Sequence, residues 1–250
     1  MLDFVKALTL RSMASYAVWK LRGRVGEVDL TFRQGGRARL GRSDFGSAYE
    51  VFANGDYNLA PRDNVAAVRR IVDLGANVGM TVLFWLRTYP NARVIAFEPH
   101  PAHIARLRAN LALNDATARV ELHEAAVGRE VGEMALIDAG MSSSVVAPDA
   151  ALHSSVFRTI AVEVEDVFDT LLADPIDILK IDIEGGEFPI LIDTRFAAVQ
   201  ARAIVLEWHR TGDGKGEQWC VEKLRAAGYE VRPVVNLRDH GLLWAYKPVD

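Results

Sequence analysis

The run "VDLGANVG", residues 72–79, sets a carboxylate, Asp73, just ahead of a tight pair of glycines, and "VIAFEP" ends on a second acid, Glu98. Gly75 and Gly79 let a chain leave a strand and enter a helix while its backbone stays close to a ligand. The helix start beyond Gly79 presents unpaired N–H groups. A dinucleotide site uses such a turn for its pyrophosphate, with the spacing G-x-G-x-x-G. Here Asn77 follows Ala76, the spacing is G-x-N-x-G, and that fingerprint is not present. Asp73 would also repel a pyrophosphate. It suits instead the cationic amino group of a methionine moiety. Glu98 falls where an acid bridges ribose hydroxyls, a contact that serves NAD and S-adenosylmethionine (SAM) alike. Asp73 and the glycine spacing together favour SAM.

A second group of reactive side chains ends two later apolar runs. Asp182 and Glu184 lie two apart in "LKIDIEGG", and Glu207 and His209 repeat that spacing in "AIVLEWH". Residues two apart on a strand share a face. If the two strands are neighbours, three carboxylates and an imidazole converge. Such a group can take the proton of an attacking alcohol, which contributes about 10²–10⁴-fold to a rate. Asp182 and His209 are the first candidates for this base, and Glu184 is the next. For His209, a strand-end histidine satisfied by backbone is an equal alternative. Glu187 reads as a helix cap without a catalytic role. Asp182, Glu184 and Glu207 also resemble an oxygen-rich Mg²⁺ shell. Nothing in the spacing demands the ion, so Mg²⁺ is not favoured and no metal ligand is assigned. "GMSSSVV", residues 140–146, reads equally as an acceptor-side loop and as a solvated turn. Tyr57 reads as core or staple packing, with reach into the site from the N-terminal segment as the less favoured alternative.

These residues need strands and helices in alternation to carry them. "VRRIVDLG", "RVIAFEP", "RVELHEAAVG", "TIAVEVED", "DILKIDIEGG" and "ARAIVLEWH" read as strands, and "MTVLFWLRTY", "PAHIARLRANLALN", "FPILIDTRFAAV" and "GEQWCVEKLRAAG" as helices. Residues 129–157 read as irregular. The end, "YEVRPVVNLRDHGLLWAYKP", reads as a hairpin. Alternation of this kind predicts a doubly wound, mostly parallel sheet, and the hairpin makes its last strand antiparallel. Ahead of it, residues 1–60 read as an accessory segment: an amphipathic helix with Leu2, Val5, Leu8, Tyr16 and Trp19 among its apolar positions, a hairpin turning at Gly35-Gly36, and a short helix ending near Asn54-Gly55.

A chain of 250 residues, half of them hydrophobic, can bury one such core. Its net charge of −4 gives no global reason to bind nucleic acid. The single cysteine, Cys220, excludes an internal disulfide and reads as a buried structural thiol. The N-terminal run is broken by Lys6 and Arg11, too interrupted to span a bilayer and without a convincing cleavage site. It is read as a cap on the domain or a homo-oligomer contact, with a membrane surface the less favoured use. The chain is read as cytoplasmic.

"VDLGANVG", "VIAFEPHP", "LRANLALN", "AAVG" and "LKIDIEGGEFPIL" occur in the order seen in FkbM-type SAM-dependent methyltransferases, and the chain resembles that family over roughly residues 44–210. The resemblance implies a class I methyltransferase fold: a Rossmann-like α/β domain over residues 61–250, with a seven-stranded sheet. It implies that Asp73, Gly75, Ala76, Asn77 and Gly79 surround the methionine end of SAM, that Glu98 holds the ribose, and that Pro99 and His100 shape the ribose side. Glu124, Ala125 and Ala126 would lie beside the adenine. Asp182 would serve either as the base or as a partner of the methionine amino group. The activity expected is O-methylation of a hydroxyl on a small molecule, such as a secondary metabolite or a sugar. N-methylation is the nearest rival. A nicotinamide-dependent oxidoreductase and a non-catalytic SAM-binding module rank lower.

Overall fold

The computed structural model describes residues 2–57, 60, 65–137, 159–212 and 214–248. The N-terminal segment folds as two helices where its apolar pattern predicts one, α1 (Leu2–Ala7) and α2 (Leu10–Leu21). Leu8 leaves the helical path to bridge to Phe32, and Thr9 caps α2, its hydroxyl accepting from Ser12 N–H at 3.4 Å. Phe4, Leu8, Tyr16 and Trp19 are buried, and Trp19 stacks on Phe45 with ring centroids 4.8 Å apart. The hairpin β1 (Val28–Thr31) and β2 (Arg37–Leu40) turns at Gly35 and Gly36, both left-handed as a tight turn requires. After it come α3 (Phe45–Tyr49) and a π-helical turn, Glu50–Asn54, closed by Gly55 at φ +82°.

The main domain opens with β3 (Arg70–Leu74), α4 (Met80–Thr88), β4 (Arg93–Phe97), α5 (Pro101–Leu113) and β5 (Val120–His123). Pro101 sits in the first turn of α5, and His100 caps it through Nδ1, which accepts from Ala102 N–H at 3.2 Å. Asn110 of α5 and Asn114 just beyond it accept from the N–H groups of Arg39 and Arg37, which fastens the β1–β2 hairpin to this helix.

The next strands differ from the sequence expectation. "RVELHEAAVG" is not one strand, because pairing with β4 ends at His123 and β6 (Ala126–Gly128) turns away into a second sheet. That sheet has the order β6-β8-β7, with β7 (Gly132–Ile137) inside the stretch expected to be irregular and β8 (Thr159–Asp166) outside the main sheet. It closes a small core of its own around Ala126, Leu136, Val162 and Val164. A six-residue strand that buries one narrow face carries little periodic signal. Residues 140–146, weighed above as an acceptor loop, lie outside the described residues.

The chain then forms α6 (Val167–Leu171), β9 (Ile176–Ile181), α7 (Glu187–Ile192), β10 (Ala201–His209), α8 (Glu217–Ala226), β11 (Glu230–Asn236) and β12 (His240–Tyr246). The main sheet has seven strands in the order β11-β12-β10-β9-β3-β4-β5. From β10 to β5 the strands run parallel, and β12 alone runs against both its neighbours. Strand alternation divides the core between two faces. Ile71 and Ile178 pack with α4 and the N-terminal segment, while Val72, Leu179 and Cys220 pack with the helices opposite. Covered on both sides, β3 and β9 place apolar residues on both faces, with Asp73 and Lys180 as buried exceptions. No helix among the described residues is long and apolar enough to cross a membrane.

Candidate active site

The turn after β3 is built by close approach. Gly75, at φ +82°, leaves no room for a side chain: a Cβ there would stand 1.8 Å from the backbone oxygen of Asp182. Its N–H and that of Ala76 both donate to Phe97 O, at 3.0 and 2.9 Å. Asn77 holds a left-handed φ of +50°, which asparagine tolerates, and its side-chain oxygen accepts from Val78 N–H at 2.7 Å. Glu98 ties this turn to α5. Its carboxylate accepts from Asn77 N–H at 2.8 Å and His100 N–H at 2.9 Å, with His103 Nδ1 3.2 Å away.

A cavity opens over these strand ends. Gly75, Asn77, Glu98, Pro99, Ala125, Ala126 and Asp182 all line it, joined by Phe97, His103, Ile183, Glu184 and Gly186. Asp73, Ala76 and Gly79 stand behind that wall. Glu124 turns outward to pair with Arg108. Gly79 begins α4 at φ +87°, where a Cβ would come 3.1 Å from Leu107. Asp73 is sealed from solvent, accepting from the Thr81 hydroxyl at 2.6 Å.

The cation that faces Asp73 within the chain is Lys180, a residue the sequence reading passed over. Its Nζ lies 3.2 Å from Asp73 Oδ1 and 3.1 Å from Asp182 Oδ2, and donates to Gly75 O at 2.8 Å. Burial works against its charge, but Asp182 and Asp73 outweigh burial and hold the ammonium above its usual pKa. A lysine between Leu179 and Ile181 in an apolar strand is the signal that could have revealed it.

Because Leu206 pairs with Ile181, the ends of β10 and β9 lie side by side. Asp182, Glu207 and His209 each bring a ligand-type atom within 4.8 Å of the others. Glu184, in a left-handed conformation at φ +50°, puts Oε2 3.4 Å from His209 Nε2, and Glu207 Oε1 is 3.7 Å from the same nitrogen. Below the ring, Glu187 is fully buried. Its Oε1 accepts from His209 N–H at 2.9 Å and lies 3.2 Å from Nδ1, and its Oε2 accepts from Gly185 N–H at 2.8 Å. Burial disfavours the imidazolium, yet the bond to Glu187 and the charges of Glu187, Glu184 and Glu207 raise the His209 pKa to about 9. Burial and the charge of Asp182 push Glu207 up to about 9 as well. Burial also raises Glu184.

The four-group set expected from spacing is therefore together, but its metal-like part differs. An imidazole takes the place that Glu184 has in the Mg²⁺ shell considered from sequence, which makes the donors less like the all-oxygen shell of that ion. Asp182 already shares one oxygen with Lys180.

A second recess lies between the N-terminal segment and the C-terminal hairpin. Tyr49, Glu50, Asp56, Tyr57, Glu207, Leu237 and His240 are on its wall. Tyr57 does pack in the core, 5.4 Å from Trp85 between ring centroids, while lining this recess too. Glu207 thus borders the second cavity, whereas its neighbours Asp182 and Glu184 border the first.

A doubly wound sheet in this order, with a glycine turn after its central strand and an acid ending the next, defines a class I, SAM-dependent methyltransferase. The chain belongs to the FkbM family: it matches the "Methyltransferase FkbM domain" over residues 73–232. Methyltransferase sdnD of Sordaria araneosa is 28% identical over 195 residues, 65% of this chain and 74% of that protein. Methyltransferase 1 of Beauveria bassiana is 29% identical over 162 residues, 57% of this chain and 64% of that protein. The 31-O-demethyl-FK506 methyltransferase FkbM of Streptomyces tacrolimicus is 31% identical over 193 residues, 64% of this chain and 72% of that protein.

Proposed function

We propose that this chain methylates a hydroxyl oxygen of a small molecule, such as a secondary metabolite or a sugar, with SAM as donor. One observation carries the reading: Asp182, on the wall of the cavity over the glycine turn, and Glu207, on the wall of the recess under the N-terminal segment, stand together with His209. SAM brings a methyl group on a sulfonium. The first cavity fits it in kind. Gly75 and Asn77 offer close backbone for the methionine end, Glu98 and Pro99 border the ribose, and Ala125 and Ala126 leave a small-residue wall for the adenine. Asp182 presents a carboxylate near that end, with the buried Lys180 paired to it from behind. The second recess takes the acceptor.

Alignment of the acceptor oxygen with the transferred carbon supplies the larger part of the rate, of order 7–11 kcal/mol. The oxygen must also lose a proton as it attacks, and His209 Nε2 receives it. In the free protein that nitrogen is protonated to about pH 9 by the acids around it. A cation held in the neighbouring cavity opposes the imidazolium and lowers that value towards neutrality. The name of the Streptomyces relative, an O-demethyl substrate methyltransferase, supports oxygen over nitrogen.

The test is incubation with methyl-labelled SAM and a metabolite extract from the source organism, followed by mass spectrometry. Label on the oxygen of a small molecule is the expected result. Label on nitrogen overturns the oxygen assignment, and S-adenosylhomocysteine binding without any labelled product overturns the enzymatic reading.

A further inference from the structure

We infer that Glu187 is a positioning residue that fixes the ring of His209, keeping a proton on Nδ1 and leaving Nε2 as the free nitrogen. The inference rests on the reading of His209 as the base. It comes from where the two oxygens of Glu187 go. An ionised carboxylate can only accept hydrogen bonds, so the ring nitrogen 3.2 Å from Oε1 must be the one that carries hydrogen. Nε2 is then the nitrogen turned away from Glu187, 3.4 Å from Glu184 Oε2 and 3.7 Å from Oε1 of Glu207, a residue that lines the second recess.

Helix capping does not account for this arrangement. Glu187 is the first residue of α7, and its Oε2 alone serves the local turn by accepting from Gly185 N–H. Oε1 is committed to a different element, the end of β10, through both the backbone and the ring of His209. A cap does well at the surface, yet this side chain is wholly buried. Burying a carboxylate costs several kcal/mol unless each oxygen is paired, and both are. His240 of β12, paired with His209 across the strands, has its ring nearly parallel to the His209 ring, with centroids 6.2 Å apart at 17°.

The experiment is nitrogen-15 NMR of the imidazole of His209 in the full chain, with S-adenosylhomocysteine bound, at a pH where the ring is neutral. Glu187→Gln and Glu187→Asp are compared with the native protein, and kcat is measured on the acceptor found by methyl labelling. The native protein is expected to show the Nδ1–H tautomer. Glu187→Gln should give a mixture of tautomers and a kcat lower by about 10²–10⁴-fold, the share a positioned base supplies, with S-adenosylhomocysteine affinity unchanged. Glu187→Asp, which keeps the charge, should recover part of both and serves as the test if Glu187→Gln does not fold. An Nε2–H tautomer in the native protein, or one unmoved by either variant, overturns the inference. A mixed tautomer with native kcat overturns His209 as the base while leaving the Glu187 hydrogen bond in place, so the two failures are told apart.

Discussion

Lys180 places its ammonium 3.2 Å from Asp73 Oδ1, with 2% and 0% of the two side chains exposed. Asp182 completes the set on the other side, at 3.1 Å. A buried ion pair adds little to stability as a unit, but removing one partner strands the rest, at about 3–5 kcal/mol. Lys180→Met should therefore destabilise the fold by about that amount, since two carboxylates lose their shared counter-ion. Urea unfolding measures it. A loss under 1 kcal/mol would mean that water or rearrangement replaces the ammonium.

The Gly75 position tolerates no side chain. Its φ of +82° costs any other residue about 1–2 kcal/mol, and the backbone oxygen of Asp182 occupies the place of a Cβ. Gly75→Ala should lower thermal stability beyond the φ term alone and weaken S-adenosylhomocysteine binding in calorimetry, because the turn and the end of β9 must separate. Native affinity in a folded Gly75→Ala protein would show that the turn does not border the ligand.

Much of this site is legible in the sequence because its determinants are local. Gly75, Asn77 and Glu98 belong to a strand–turn–helix–strand unit whose spacing is visible in one chain segment. Asp182, Glu184, Glu207 and His209 end apolar runs, and their meeting needs only that β9 and β10 be neighbours. Other parts depend on distant partners. Lys180, far along the chain from Asp73, is the partner its own segment does not announce. Glu187 reads as a cap because its second partner is on another strand. The break of β6 from β5 is equally hidden, since a strand that changes sheets keeps the same alternation.

Glu98 serves its own backbone with hydrogen bonds from Asn77 and His100 while it borders the first cavity. Hydrogen bonds to a charged group are worth about 1.5–3 kcal/mol each. Glu98→Gln should weaken S-adenosylhomocysteine binding roughly 10–100-fold and leave kcat at saturating SAM within a few-fold. Asp182→Asn and His209→Ala should do the reverse, lowering kcat with the ligand still bound. Calorimetry and steady-state kinetics together separate the two patterns, and unchanged kcat in both latter variants would remove them from the chemistry.

Mg²⁺ is not expected to take part. Asp182 already has a cation in Lys180, and the remaining donors mix imidazole with carboxylate. Activity on the labelled acceptor should be the same after exhaustive chelation as before it. Loss on chelation with recovery on adding Mg²⁺ would instead assign the cluster to a metal.

The protons held by Glu207 and His209 set a pH dependence of stability. Both pKa values are raised in the folded chain, Glu207 from 4.5 to about 9 and His209 from 6.5 to about 9. Between those limits the folded state binds more protons than the unfolded one, so stability falls as pH rises. Because each group feels the other's charge, the two titrate as a pair, and their joint contribution is complete below about pH 4.5 and lost as pH rises through the raised values. Urea midpoints should accordingly decline from pH 6 to pH 9 in the absence of SAM, and Glu207→Gln should flatten the decline. A bound cation at the sulfonium position favours the deprotonated forms, so S-adenosylmethionine should flatten it more than S-adenosylhomocysteine, which lacks that charge. Midpoints that rise with pH across this window would mean that the carboxylates around His209 are already ionised and compensated in the folded protein.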